Sequence, residues 1–521
     1  MQNQSNLNTI PTSWIWTKVG CICTHPQYGY TTKAKQTGQI KLLRTTDITS
    51  GSINWETVPY CTDNPEDIEK YLLHEGDILI SRAGSIGVSY LLKEVDYSVF
   101  ASYLIRFKPF INKKFFKFFL NSPLYWNQVF ENKLGIAVTN INATKLKEIN
   151  FPLAPLPEQE RIVNRIEELF SELDAGVESL KTAQAQLKRY RQSVLKSAFE
   201  GKLTAEWREQ KQEEGKLESA EQLLQKIEEE RQNRYQKELE AWEKEVQLWE
   251  ENGKLGKKPK KPQKLKELSP LTEAELAKIP ELLNAPSCWI QINLKEVCSA
   301  VDPQPSHRTP PKVEKGIPYV SFQNINKDTG EIYFEQARQV SPKVLEEHIS
   351  RYSIEEGDFI IGKIGTIGKP FSIPKKRFYA LSANVILVKP YQDIIDSQFV
   401  FYLIKSNLIE KQFKLGSRAT AQSAFGITKV RLLTLPFPSL REQQEIVKEI
   451  ESRFSICDQL EATITENLQK SEALRQSILK QAFSGKLVPQ DPNDEPASVL
   501  LERIKQEKEN AQNPTQTSLN V

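Results

Sequence analysis

Apolar residues recur every seven positions along residues 158–203. One seam of this pattern consists of Ile166, Leu173, Leu180, Leu187 and Val194. The other consists of Ile162, Leu169, Ala183 and Tyr190, with Gly176 as its weak point. A seven-residue repeat of this length predicts a long helix that packs as a coiled coil. Gly201 follows the last periodic residue, where a helix is expected to end.

Residues 442–487 repeat this segment without insertion or deletion. Each residue of the first copy is matched by the residue 284 positions later, as Ser193 is by Ser477. The apolar positions of the second copy are Ile446, Ile450, Ile464 and Ile478, helped by Cys457, Leu460 and Leu474. We expect the two helices to pair with each other. Polar residues in the second seam also favour packing against a partner's helices, namely Arg453, Asn467 and Ser471.

Short alternating apolar runs separated by Gly, Asn and Asp fill residues 1–157 and 286–441. Such runs predict strands, and one amphipathic helix is expected in each region, at 113–120 and 397–404. The predicted class is therefore α+β, with two strand-rich α/β domains joined by two long antiparallel coiled-coil helices.

The repeat extends beyond the helices. Residues 75–87 match 356–368, and the extension after the first helix recurs after the second. Duplication on this scale predicts a pseudo-two-fold fold. The expected order is domain 1 (1–157), helix (158–203), charged extension and linker (204–285), domain 2 (286–441), helix (442–487), and a helical extension with a disordered tail (488–521).

Composition describes a soluble, cytoplasmic protein. The 521 residues are 39% hydrophobic and 26% charged, and no run of about 18 apolar residues predicts a membrane span. The six cysteines show no CxxC spacing, which suits a reducing compartment. A net charge of +3 is too small to indicate nucleic-acid binding by itself. Any such interpretation depends on local patches.

One local patch is the lysine-rich stretch at residues 253–266. It carries Lys254, Lys257, Lys258, Lys260, Lys261, Lys264 and Lys266. A run of this kind is typical of a soluble linker. Non-specific contact with phosphates is the alternative.

No motif predicts catalysis by this chain. The glycine-rich turns at 84–87 and 362–368 lack the Gly-Lys-Ser/Thr ending of a phosphate loop. The histidines at 25, 74, 307 and 348 form no metal pair or triad. Cys21, Cys23 and His25 suggest a metal, but the second half keeps only Cys298, so a plain loop is favoured. We predict no catalytic residue, no metal and no cofactor bound by this chain.

Polar residues near strand ends are better candidates for binding. Arg82 with Ser85, and Lys363 with Thr366, occupy corresponding turns in the two halves. The remaining candidates are Lys33, Lys35, Arg44, Gln323, Asn324, Arg338, Arg418, Thr420 and Gln422. Arginine and lysine can contact guanine, and Asn or Gln can contact adenine. For each of these residues, the alternative is that it is an ordinary polar surface residue with no role in binding. Residues 33–44 and 303–315 differ, which is expected of one scaffold that carries two recognition surfaces.

Several motifs resemble the specificity subunits of type I restriction-modification systems. They are the Pro-x-x-Trp openings, the Gly-Asp-Ile-Leu-Ile-x-Arg turn at 76–84, residues 156–163, the helix ends at 198–203 and 482–487, and residues 201–207. The second helix start departs from this pattern, because residues 439–443 read Ser-Leu-Arg-Glu-Gln with one extra residue before them.

The resemblance implies that each domain is a target recognition domain for half of a split DNA sequence. It implies that the helices set the distance between the domains. It also implies partner subunits. Two methyltransferase (M) subunits are expected to bind S-adenosylmethionine and methylate adenine, and restriction (R) subunits are expected to use ATP and Mg²⁺ to cleave DNA. Two alternatives remain open: a coiled-coil scaffold that binds no DNA, and a stand-alone DNA-modifying enzyme.

Overall fold

The computed structural model describes residues 10–131, 140–265, 267–268, 271–304, 306, 308–326, 329–363, 367–375, 378–418 and 426–512. It divides into two compact units. The first comprises Met1–Thr182 together with Ile464–Val521, and the second comprises Ala183–Thr463.

The strands are short, and the first unit contains β1 Ile15–Lys18, β2 Gln27–Tyr28, β3 Ala34–Lys35, β4 Lys41–Leu43, β5 Tyr60–Cys61, β6 Ile78–Ser81, β7 Ser89–Leu91, β8 Ser98–Phe100, β9 Leu104–Phe107 and β10 Asn150–Leu153. The second unit contains β11 Ile290–Asn293, β12 Cys298–Val301, β13 Ile317–Val320, β14 Arg338–Val340, β15 Phe359–Gly362, β16 Pro370–Ser372, β17 Ala380–Leu381, β18 Val385–Pro390 and β19 Thr434–Phe437.

The helices up to the first long one are α1 Val19–Ile22, α2 Thr45–Ile48, α3 Ile68–Tyr71, α4 Lys113–Phe119, α5 Pro123–Glu131, α6 Ala143–Lys147 and α7 Leu156–Phe199. Those that follow are α8 Ala205–Glu213, α9 Ala220–Glu251, α10 Glu273–Leu276, α11 Leu294–Val297, α12 Pro342–Arg351, α13 Ser397–Ile404, α14 Asn407–Arg418, α15 Ile427–Arg431, α16 Leu440–Ala482 and α17 Ala497–Gln512. Three short 3₁₀ turns lie at Pro280–Asn284, Phe322–Asn324 and Phe334–Gln336.

The two units share most of their sheet topology, although β3 of the first unit has no counterpart among the described strands of the second. In the first unit the sheet orders are β2-β9-β6-β7, β3-β5-β4-β8 and β1-β10. In the second they are β12-β18-β15-β16, β14-β13-β17 and β11-β19. Among the described strands, each unit contains one parallel pair, β4 with β8 and β13 with β17. The mixed α and β class and the internal repeat predicted from the sequence are confirmed.

A buried central strand separates two apolar clusters in each unit. Ile78 and Ile80 of β6 lie in the large core of the first unit, whereas Leu79 lies in a smaller cluster. In the second unit, Phe359 and Ile361 of β15 lie in the large core, whereas Ile360 lies in a smaller cluster. Successive side chains of a strand point to opposite faces, so a continuous apolar run supplies both clusters at once.

The start of each long helix is fixed by two side chains of its own first turn. Trp14 Nε1 donates to Glu158 Oε2 at 2.9 Å, and Trp289 Nε1 donates to Glu442 Oε2 at 2.8 Å. Gln159 Oε1 accepts from the Asn112 amide at 3.1 Å. These contacts give the Pro-x-x-Trp and Glu-Gln motifs of the sequence a structural role.

The second helix keeps this joint although its sequence differs there. Gln443 Oε1 accepts from the Asp396 amide at 2.7 Å, as Gln159 does from Asn112. The Ser439 hydroxyl accepts from the Glu442 amide at 3.3 Å at the start of α16. The departure from the family pattern at 439–443 therefore leaves the joint intact.

The two long helices are 44 and 43 residues and run antiparallel. Arg475 forms an ion pair with Asp174, and Arg191 Nη2 lies 2.6 Å from Asp458 Oδ1. Each arginine also lies over a phenylalanine ring of the other helix, Arg475 over Phe170 at 4.8 Å and Arg191 over Phe454 at 5.0 Å. Both contacts are related by the 284-residue offset of the sequence repeat.

The apolar seams follow the prediction in part. Eight seam positions are buried, namely Ile162, Ile166, Val194, Ile446, Ile450, Cys457, Ile464 and Ile478. Leu173, Leu180 and Leu187 are half-buried. Tyr190, Leu460 and Leu474, which the sequence places in the seams, are instead exposed. Beside Tyr190 the seam is filled by Arg191, whose aliphatic stem and planar guanidinium pack well against an aromatic ring.

Among the described helices, none combines the length and apolar content needed to cross a lipid bilayer.

Candidate nucleic-acid interface

The residue after the central strand is held identically in both units. The Arg82 amide donates to the Tyr103 carbonyl at 2.9 Å, and the Lys363 amide donates to the Asn384 carbonyl at 2.9 Å. These bonds continue the ladders between β6 and β9 and between β15 and β18. Arg82 and Lys363 therefore occupy equivalent backbone positions, as the repeat predicts.

Their side chains have different partners. The Arg82 guanidinium lies 4.9 Å from the centre of the Tyr28 ring, and its Nε donates to Asn140 Oδ1 at 3.4 Å. Lys363 Nζ lies 2.9 Å from Asp302 Oδ2 and is nearly buried. Within the described part of the chain, Arg82 forms no ion pair with a carboxylate. Arg82 can therefore contact a ligand without breaking an ion pair, whereas Lys363 must first leave Asp302.

A second turn follows the parallel strand of each unit. After β4, Arg44 forms two hydrogen bonds with Asp47, from Nε at 3.1 Å and from Nη2 at 2.9 Å. The hydrogen bonds to Asp47 raise the pKa of Arg44. After β13, the amide and hydroxyl of Ser321 both donate to Asn324 Oδ1 at 3.0 Å. Asp47 and Asn324 thus shape equivalent turns, and Asn324 is itself buried.

A polar cleft in the second unit brings together three residues selected from the sequence. The cleft has a volume of about 650 Å³ and is lined by Gln323, Asn324 and Arg338. Gln336, Asn384 and Lys312 also line it and were missed by the sequence analysis. Asn384 can be identified as a candidate only from the strand pairing, because its carbonyl accepts a hydrogen bond from the Lys363 amide. The exposed amides and the Arg338 guanidinium match the groups that bind adenine and guanine edges.

The equivalent surface of the first unit is aromatic. Tyr103 holds the place of Asn384 and is 62% exposed. Tyr28 is 38% exposed and its hydroxyl accepts from the Ala143 amide at 2.9 Å. The two units therefore share backbone positions but differ in their side chains, with exposed tyrosines beside Arg82 in the first unit and exposed amides beside Arg338 in the second.

The remaining candidates lie apart from these contacts or outside the described residues. Lys33 is exposed, and its carbonyl accepts from the Thr62 amide at 2.9 Å and the Thr62 hydroxyl at 2.8 Å. Lys35 Nζ donates to the Thr62 carbonyl at 3.3 Å, and Ser85 is exposed in its turn. Thr366, Thr420, Gln422 and the side chain of Arg418 lie outside the described residues.

The cysteines near the N-terminus do not form a cluster. Cys23 is buried, which raises the pKa of its thiol, whereas Cys21 is exposed. Among the described residues, no group of three or more His, Cys, Asp or Glu is arranged to hold a metal ion.

Comparisons with known proteins match both halves of the chain. The family model for the type I restriction modification DNA specificity domain matches residues 22–188 and 286–470. The EcoBI specificity subunit of Escherichia coli is 24% identical over 411 residues, which cover 76% of this chain and 72% of that protein. The EcoKI specificity subunit of Escherichia coli strain K12 is 21% identical over 525 residues, which cover 96% of each.

A solved structure has a similar fold. It belongs to work on complex assembly and conformational transition of the type I R-M system, and it aligns with a TM-score of 0.58 at 16% identity. The alignment covers 92% of this chain and 100% of the solved one. With the family model matching both repeats across more than half of the sequence, this chain belongs to the type I restriction modification DNA specificity family.

Proposed function

We propose that this chain is the specificity subunit of a type I restriction-modification complex, in which it recognises a bipartite DNA target. The strongest support is that both units hold the residue after the central strand in the same backbone position, at Arg82 and at Lys363. The side chains around that position differ between the units. A shared backbone structure would orient DNA in the same way on both units. The side chains at the strand ends would then determine which bases each unit binds. Two unlike surfaces then recognise two unlike half-sites.

In the first unit we assign base or backbone contacts to Arg82, and Arg44, Ser85 and Lys33 remain candidates from the sequence. In the second unit we assign them to Gln323, Asn384 and Arg338 of the cleft, with Asn324 shaping the turn. Lys363 contributes only if its pair with Asp302 opens. Thr366 and Arg418 remain candidates from the sequence.

The long helices set the distance between the two half-sites. At about 1.5 Å per residue, a 44-residue helix is about 65 Å long. Half-sites recognised in successive grooves lie about one DNA turn, roughly 34 Å, apart. A paired, stiff helix maintains such a spacing, whereas a flexible linker does not.

The catalytic steps belong to partner subunits. Two methyltransferase subunits bind S-adenosylmethionine and methylate adenine, and restriction subunits use ATP and Mg²⁺ to cleave DNA. This chain supplies double-stranded DNA recognition and binds no cofactor. The complex acts on DNA in the cytoplasm.

The test is a methylome of cells that express this chain with its methyltransferase partner. The expected motif has two fixed parts separated by a non-specific spacer. Gln323→Ala combined with Asn384→Ala should relax one part only, and Arg82→Ala should relax the other. Gln210→Ala, which removes an exposed amide from α8, is the matched control and should leave both parts unchanged.

Two results would contradict this assignment. Methyl transfer or cleavage by the purified chain alone would favour the stand-alone enzyme. Absence of any target-dependent mobility shift, with the methyltransferase partner present, would favour the scaffold.

A further inference from the structure

Helix α9 extends far beyond the part that packs on its unit. Its buried residues are Leu223, Ile227 and Arg231, all in the first half. The remainder carries a half-buried stripe on one face, consisting of Tyr235, Leu239, Trp242, Val246 and Trp249. The corresponding helix of the second repeat, α17, is 16 residues long against 32 for α9. We call residues 232–265 the lysine arm.

The segment after α9 folds back along this stripe. Trp249 Nε1 donates to the Gly256 carbonyl at 3.4 Å, and Trp242 Nε1 donates to the Pro259 carbonyl at 3.1 Å. Pro259, Pro262 and Leu265 are half-buried. Their three-residue spacing is that of a polyproline II helix, which places one residue in three on the same side. The lysine-rich stretch therefore follows a defined path along α9.

Because the prolines and Leu265 face inward, the lysines face outward. All six are exposed, namely Lys254, Lys257, Lys258, Lys260, Lys261 and Lys264. Lys261 lies 5.3 Å from the Trp242 ring, and Lys254 and Lys258 each lie 5.9 Å from the Trp249 ring. Across the described residues, none of the six forms an ion pair with a carboxylate, although α9 is rich in glutamate.

A row of exposed lysines without carboxylate partners among the described residues is suited to a polyanion. The whole chain has a net charge of only +3, so this local charge is not a general property of the surface. At about 3.1 Å per residue, positions 257–264 span roughly 22 Å. That length corresponds to about six base pairs of duplex at 3.4 Å each. Lysine is a point charge that binds phosphate without selecting a base.

We propose that the lysine arm binds the phosphate backbone of double-stranded DNA independently of base sequence. This inference relies on the proposed function only in that the chain meets DNA. The arm is a second contact surface, formed by residues other than those at the strand ends. It adds affinity and salt dependence and leaves the recognised sequence unchanged.

The test replaces Lys257, Lys258, Lys260, Lys261 and Lys264 by Gln in the full chain, assembled with its methyltransferase partner. Affinity is measured from 50 to 300 mM NaCl for a duplex with the methylome-derived target and for one without it. Each lost phosphate contact should lower the magnitude of the slope of log K against log salt by about 0.9. We expect a total decrease of about 2 to 4 for both duplexes, with the ratio of their affinities unchanged.

The matched control replaces the same five lysines by Arg, which keeps the charges and should keep the slope. An unchanged slope in the Gln variant would overturn the proposal. A variant that loses methyltransferase binding but keeps its DNA slope would also overturn it, since the arm would then be a protein-docking surface. A failure of the proposed function would give a different result, because the wild-type chain would then bind the two duplexes with equal affinity.

Discussion

At the scale of single residues, the joints between domain and helix depend on two buried carboxylates with unlike surroundings. Burial raises the pKa of Glu158, while hydrogen bonds from Trp14 and Gln490 lower it. Glu442 occupies the same place in the second unit but forms an ion pair with Arg208, with 2.5 Å between Oε1 and Nη1. The Glu442 carboxylate also accepts from the Thr204 hydroxyl at 2.8 Å.

We predict that Glu442→Gln destabilises the protein more than Glu158→Gln. Loss of one partner from a buried ion pair costs about 3–5 kcal/mol, because the remaining charge is left uncompensated. Glu158→Gln keeps an oxygen that accepts from Trp14, so its expected cost is about 1 kcal/mol. Calorimetric unfolding of the two variants checks this order. If both variants lowered the transition temperature equally, the ion pair between Glu442 and Arg208 would not be the source of the extra stability.

The sequence predicted backbone positions at the candidate site better than side-chain partners. The repeat alone placed Arg82 and Lys363 at equivalent points. It did not reveal that Lys363 pairs with Asp302 while Arg82 lies over Tyr28, because β2 and β12 bring these partners in from distant parts of the chain. Asn384 and Gln336 were missed for the same reason, since the cleft forms only when the strands pair.

At the scale of elements, the glycines at the helix ends have a conformational role that the sequence predicted correctly. Gly201 has a φ of +72°. Its amide donates to the Ala198 carbonyl at 3.0 Å, and the Lys202 amide donates to the Ser197 carbonyl at 2.8 Å. This is the Schellman arrangement. Gly485 and Gly215, with φ of +69° and +66°, end α16 and α8 in the same way.

We predict that Gly201→Ala is more costly than Gly215→Ala. A left-handed conformation costs a residue with a Cβ about 1–2 kcal/mol, and both variants incur that cost. At Gly201 a Cβ would also lie 2.5 Å from Pro286 Cγ, whereas at Gly215 no atom lies within 4 Å. Overpacking of this kind adds about 1–3 kcal/mol.

Both glycines lie in the second unit, so the two variants can be compared in one unfolding transition. Adding Pro286→Ala to Gly201→Ala should recover part of the loss. If the two single variants unfolded at the same temperature, the contact with Pro286 would be irrelevant to the joint.

Sequence periodicity did not predict every residue that packs between the two long helices. The seven-residue repeat predicted both long helices and most of their buried positions. It placed Tyr190 in the seam because Tyr190 follows Ala183 by seven residues. The structure uses Arg191 instead, since its pair with Asp458 and its contact with Phe454 both require the other helix.

At the scale of the whole molecule, each unit combines segments that are far apart in sequence. The first unit contains the start of α7, the end of α16 and α17, and the second contains the end of α7 and the start of α16. Arg161 Nη2 lies 2.6 Å from Asp494 Oδ2 within the first unit, although 333 residues separate them. The sequence repeat indicates equivalent segments, but it does not reveal which copy packs with which domain.

We propose above that the paired helices set the spacing of the two half-sites. The most direct measurement is the spacer length in the methylome of a variant with four helical residues inserted after Thr182 and four after Glu466. Four residues add about 6 Å, or roughly one to two base pairs. An equal insertion after Gly256, in the lysine arm, controls for chain length. We predict a longer spacer between unchanged half-sites for the helix variant alone. An unchanged spacer in that variant would contradict the proposal that the helices set the spacing.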